Sequence, residues 1–222
     1  MTGGTSLDAR PALATLTRVL AAGLLIGTLL LAVGGAMHPM LNGDASAQLR
    51  TIGGTVRWRE IHLIMLAGSV LVLGGVWVRL FRARGDVRLM LVASLALISL
   101  GIAINALDIA YMAGAGWRMA ARFQGGDASM VTLYDVTHPI GRVAARLGNA
   151  IVVLGALALG WAETADAESG GRWAAGLAWL AAAGGAVGVL FFDEGSPFVL
   201  AAVTLLCGWQ VLTGLRAISA KA

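Results

Sequence analysis

Six charge-free apolar runs, at 19–37, 63–78, 89–107, 147–162, 173–192 and 195–215, decide what this chain can fold into. As a helix rising ~1.5 Å per residue, each is long enough, or nearly, to cross roughly 30 Å of hydrocarbon. The expected fold is all-α: a polytopic membrane protein, a six-transmembrane-helix bundle with short interfacial helices in its two long loops. Allowing for helix ends, the spans are expected near 15–37, 60–80, 88–113, 140–162, 173–192 and 196–216, with residues 1–222 forming a single integral membrane domain.

Composition excludes most other classes. With 58% hydrophobic and 13% charged residues, and a mean hydropathy of +0.81, the chain is no ordinary soluble domain. The net charge of +4 comes from arginines bordering the spans, with Lys221 the only lysine. They read as charges that orient the protein and contact lipid headgroups, and no basic stripe points to nucleic acid. Cys207 stands alone in the sixth run and permits no internal disulfide. The first run, 19 residues long after Arg10 and Arg18, reads as a retained span and not as a cleaved leader.

Orientation rests on the basic residues. With the N-terminus inside, nine are cytoplasmic and seven are outside, and Arg79, Arg82, Arg84 and Arg88 crowd the short loop between the second and third runs. That loop is where the positive-inside effect is strongest, so the protein is expected in a plasma (inner) membrane with both termini cytoplasmic. Trp77, Trp161 and Trp173 then fall near the inner boundary, and Trp58 and Trp117 near the outer one, as an aromatic belt would place them. The inner loops are short and read as simple turns.

The two long connections lie on the outer side. Within 42–59, Asp44 is a helix-start signal, Leu49 and Ile52 give an apolar face, and Gly53-Gly54 is a stop. Within 115–137, Trp117, Met119, Ala120 and Phe123 alternate with Arg118 and Arg122 up to Gly125-Gly126, a second surface helix. Gly23 and Gly27 in the first run, and Gly184 and Gly188 in the fifth, are spaced to let backbones approach closely in lipid, and are expected to serve packing within the chain.

The polar residues carry the functional reading, because an ionisable side chain at the edge of hydrocarbon costs several kcal/mol unless paired or solvated. All three histidines fall at the outer rim: His38 closes the first span, His62 opens the second and His138 precedes the fourth. His38 and His138 each precede proline, which disfavours helical backbone and makes them end and start positions. Extended back toward His138, the fourth span carries His138, Arg142, Arg146 and Asn149 on one stripe at offsets of four, four and three. Asp108 reaches the same level about 28 Å along the third span, with Asn105 one turn deeper, and an ion pair from Asp108 to Arg142 or Arg146 is its natural closure.

Two chemistries suit these residues. A haem or other tetrapyrrole would use His62 and His138 as axial ligands, with Arg142 and Arg146 holding its propionates. A transition metal would use His38, His62 and His138 with Glu60, Asp108 or Asp135. No strict ligand spacing such as Cys-x-x-Cys-His or His-Glu-x-x-His is present, no lysine lies in a span for a retinal Schiff base, and no phosphate-binding Gly-x-x-x-x-Gly-Lys occurs. Three classes of function therefore stay open: a cofactor-bearing redox or sensory membrane protein, an accessory subunit packed against other membrane subunits, and a small transporter. Against the last, no span has an interior proline and the polar residues gather at one rim. Membrane lipid is the expected partner in every case.

Overall fold

The computed structural model describes residues 9–83, 85–191 and 197–219, and these are helical almost throughout. The elements are α1 (Ala9–Met37), α2 (Ala45–Gly54), α3 (Trp58–Gly75) continued by a tighter 3-10 stretch (Val76–Arg82), α4 (Val87–Tyr111), a π-helical turn (Met112–Gly116), α5 (Trp117–Gln124), α6 (Ser129–Ala165), α7 (Ala167–Phe191) and α8 (Pro197–Ser219). Six of these helices, counted with their continuations, are long and apolar enough to cross a membrane, so this is a polytopic membrane protein.

The spanning helices close a ring in which α1 packs on α3, α3 on α4, α4 on α6, α6 on α7, α7 on α8, and α8 back on α1. Its centre is apolar, with Leu24, Val72, Leu91, Leu95, Ile98, Leu159 and Leu206 among the buried residues. Lipid offers leucine as good an environment as a protein core does, so close backbone approach must hold such helices together. Glycines provide it at two crossings. Gly27 and Gly68 face each other between α1 and α3, and Gly101 and Gly148 do so between α4 and α6: a Cβ on either member would lie within 2.8 Å of the opposite carbonyl oxygen. Of the glycine pairs singled out by spacing, Gly27 and Gly188 make such tight contacts, Gly188 on Val199 of α8, while Gly23 and Gly184 have ordinary room.

Two helices far exceed the membrane. The unbroken helical stretch Val87–Gln124 has 38 residues and α6 has 37, so each runs about 55 Å against a ~30 Å core. The excess projects beyond the bundle at the end bearing His38, where it meets α2. This corrects the expected layout of 115–137. The surface helix at Trp117 exists, but the π turn joins it directly to α4, and α6 starts at Ser129, so that only 125–128 lie between the two helices. His138 is correspondingly not a start position: α6 passes straight through His138-Pro139. The proline removes one N–H that would have gone to Asp135, a local loss that the long helix on either side outweighs.

The projecting elements have a second core of their own, built from Leu49 and Ile52 of α2, Trp58 of α3, Met112, Met119 and Ala120, and Met130 and Tyr134 of α6. α2 forms as its sequence signals predict. The Asp44 carboxylate accepts the Ala47 N–H at 2.8 Å and the Ser46 hydroxyl at 3.0 Å, and these bonds hold its pKa below the usual carboxylate value. Asp127 does the same work before α6: the Ser129 hydroxyl and Arg122 bind its carboxylate and lower its pKa.

The aromatic belt is only half realised. Trp161 and Trp173 are exposed at the end opposite His38, as anchors should be, whereas Trp58 is 1% exposed and belongs to the second core. Because an even number of spans returns the chain to its starting face, single cysteines placed at Arg50 and at Ser219, in a Cys207→Ser background, are expected to react with an impermeant thiol reagent from opposite faces. Reaction of both from one face would refute the six-span topology.

Candidate functional site

His38 and His62 are brought together by the α1–α3 hairpin. Pro39 stops α1, leaving His38 one residue past its last turn, and His62 faces it from the second turn of α3. The Nε2 atoms of the two imidazoles lie 3.2 Å apart, with the rings 4.9 Å between centroids and nearly edge-on. Trp58, one turn before His62, frames both: its indole lies 4.4 Å from the His62 ring and 5.0 Å from that of His38, and its Nε1 donates to the Met112 carbonyl at 3.1 Å. His62 is buried and His38 half-buried.

Hydrogen bonding sets the tautomer of His62. The Trp58 carbonyl can only accept, so the 2.8 Å contact from His62 Nδ1 places the proton there and leaves Nε2 as a lone pair aimed at His38. Burial pushes the His38 imidazole below its ordinary pKa, partly offset by a hydrogen bond to the Pro39 backbone, which has only a carbonyl to offer. Across the 3.2 Å gap the His62 Nε2 lone pair takes either a proton carried by His38 Nε2 or a cation bound between the two rings.

His138 occupies a different environment. Its ring is stacked with Tyr134 at 4.6 Å and with Tyr111 at 6.3 Å, and Tyr111 shares a 2.7 Å hydrogen bond with Thr137. It lines an open cleft of about 360 Å³ together with Arg142, Arg146, Tyr134, Asp135 and the start of α2 at Asp44 and Gln48. The stripe expected on α6 is therefore real as far as His138, Arg142 and Arg146, which share one cavity, while His62 is not among the residues that line it. Arg146 donates to the Val189 carbonyl in the last turn of α7 at 2.9 Å, satisfying a helix-end acceptor.

The remaining candidates are dispersed. Glu60 is exposed in the first turn of α3, and Asp135 is exposed on the rim of the cleft. The Asp108 carboxylate rests on Gly141 of α6, where any side chain would collide with it. One turn deeper, Asn105 donates to Asn149 at 2.9 Å, a second polar tie between α4 and α6. Among the described residues no three of the His, Cys, Asp and Glu side chains come together as a metal-binding group. What the chain assembles is a pair of imidazoles and, separately, a cleft.

Sequence reasoning missed a third polar cluster, at the opposite end of the bundle. Arg79 meets Glu163 in a two-point ion pair, Nε to Oε1 at 2.8 Å and Nη2 to Oε2 at 3.0 Å, with Arg79 4% and Glu163 0% exposed. Nη2 also reaches Asp166 at 2.8 Å, and the buried Trp209 indole donates to Glu163 at 3.1 Å. Arg79 is thus not a headgroup-contacting charge, and the end expected to consist of simple turns has a buried network tying α3, α6 and α8. Nearer mid-bundle, Thr28 and Gln210 are joined at 2.8 Å between α1 and α8. The polar residues do not all gather at one rim.

Fold and site together define a polytopic integral membrane protein that buries ion pairs at one end and concentrates its histidines at the other. No protein-family model matches the chain, and neither does any curated protein or solved structure.

Proposed function

We propose that this is a membrane metalloprotein in which His38 and His62 bind a transition-metal ion, serving a redox or sensory role on the face that carries the projecting helices. The observation that supports this reading is the 3.2 Å separation of two Nε2 atoms, with the His62 lone pair turned toward His38. Nitrogen ligands at 2.0–2.1 Å on a tetrahedral ion stand about 3.3 Å apart, whereas two axial ligands trans across one iron stand about 4 Å apart. The spacing favours a small ion held by two adjacent ligands over a macrocycle clamped between the rings. The Trp58 carbonyl supplies the outer hydrogen bond that fixes a metal-binding imidazole in its tautomer and orientation. Imidazole suits copper, zinc, iron and nickel. Solvent or an exogenous ligand completes the coordination through the half-exposed His38 side.

The competing occupant of the gap is a proton held between the two rings. Titration of the detergent-purified protein with Cu(I), Zn(II) and Co(II) separates them. One equivalent of metal is expected to bind, Co(II) giving the visible bands of a low-symmetry site, and His38→Ala or His62→Ala should abolish both. If wild type retains no more metal than the double-alanine variant, the pair is a proton site and the metal reading fails.

A further inference from the structure

The polar stripe of α6 does not end at Arg146. Continuing at helical spacing through Asn149, Val153 and Ala156, the same face of α6 becomes one wall of a narrow apolar groove whose other walls are α7 and α8. Val189 lines that groove, and its carbonyl is the group that Arg146 binds, so the arginine sits where the open cleft gives way to the groove. One helix face thus carries, from outside inward, Asp135, His138, Arg142 and Arg146 and then only apolar wall and a single asparagine. The flanking residues Ile140, Val143 and Leu147 are exposed at 70%, 67% and 52%, which marks this side of α6 as facing lipid.

We infer that the stripe is a binding site for one phospholipid with a primary-amine headgroup, of the phosphatidylethanolamine type. Its phosphate lies at Arg142 and Arg146, its ammonium faces Asp135 above them, and its acyl chains run down the exposed apolar side of α6 past the mouth of the α6–α7–α8 groove. The order of charges carries the argument. Cations lie nearest the hydrocarbon and a carboxylate lies outermost, the mirror of an ethanolamine phospholipid, in which the phosphate is deep and the amine is outside. The second carboxylate of the cleft, Asp44, is already bound to the Ala47 N–H and the Ser46 hydroxyl and completes α2. Guanidinium groups suit phosphate oxygens through paired, charge-assisted hydrogen bonds. A quaternary choline headgroup offers Asp135 no N–H donor, and a glycerol headgroup offers no positive charge.

Native mass spectrometry of the full chain tests this, with phosphatidylethanolamine, phosphatidylcholine and phosphatidylglycerol of matched acyl chains added one at a time to delipidated protein. One ethanolamine lipid is expected to bind, roughly fivefold tighter than the other two, the gain of about one exposed charge pair. Arg142→Gln with Arg146→Gln should remove the bound lipid. Asp135→Asn should leave binding but erase the preference, and since its side chain is exposed, that variant folds irrespective of the double arginine change. Equal binding of all three lipids, a preference that survives Asp135→Asn, or displacement of the lipid by millimolar inorganic phosphate alone would overturn the assignment. None of these outcomes depends on the occupancy of the His38–His62 pair.

Discussion

Replacing Glu163 by alanine is expected to destabilise the protein by about 3 to 5 kcal/mol, among the largest effects of any single change in the bundle. The reason is asymmetry. The Arg79–Glu163 pair is almost wholly buried, and two of the three carboxylate hydrogen bonds of Arg79 go to Glu163. Without Glu163 the guanidinium keeps only the Asp166 contact, and the Trp209 indole loses its acceptor at the same time. A buried donor left unsatisfied costs ~1–3 kcal/mol, and a cation left in hydrocarbon costs more. Glu163→Gln should fall between wild type and alanine, because an amide oxygen still accepts one bond but supplies no charge. The double change Arg79→Met, Glu163→Met should recover most of the loss, since matched apolar side chains need no partner. Thermal unfolding in a single mild detergent reads all three variants. A loss under ~1 kcal/mol for Glu163→Ala would mean that water reaches the pair and that the network contributes little.

The contrast between that cluster and the rest shows what a sequence of this kind discloses. The spans are legible because each is a long unbroken apolar run, and α2 is legible because Asp44, Leu49, Ile52 and Gly53-Gly54 are all local signals. The stripe His138, Arg142, Arg146 is legible for the same reason, since helical spacing alone puts its members on one face. Arg79 and Glu163 are 84 residues apart, and no local rule distinguishes an arginine that touches headgroups from one buried against a distant glutamate. Counting Arg79 among the boundary charges hides the network. The histidines follow the same logic. Sidedness placed them at one end, but choosing which two meet required knowing that the α1–α3 hairpin is short and tight while His138 sits on a helix whose first turns lie outside the bundle. Pro139 misled in another way: the rule that proline ends helices holds for isolated segments, whereas here 37 residues of helix are committed on both sides of it.

Gly148 should be, with Gly101, among the least replaceable glycines of the α4–α6 crossing. A Cβ there would stand 2.6 Å from the Gly101 carbonyl oxygen and 2.8 Å from the Asn105 nitrogen, both backbone atoms that cannot turn aside. Gly148→Ala is therefore expected to cost about 1 to 3 kcal/mol, despite alanine's higher helix propensity, and Gly148→Leu more. Gly176 of α7 has nothing within 4 Å of the corresponding position, so Gly176→Ala should be neutral or stabilising by up to ~1 kcal/mol. The pair of substitutions thus separates packing from propensity in one protein. The effect should also travel outward: Asn105 donates to Asn149, and Asp108 rests on Gly141, two turns nearer the cleft, so a wedge at 148 that parts the helices loosens both ties. In hydrogen–deuterium exchange, α6 amides around 138–146 should lose protection in Gly148→Ala and keep it in Gly176→Ala. Equal stability and equal protection in the two variants would show that α4 and α6 do not cross at Gly101 and Gly148. In that case the spacing that sets Arg142 and Arg146 at the mouth of the groove would have to come from another contact.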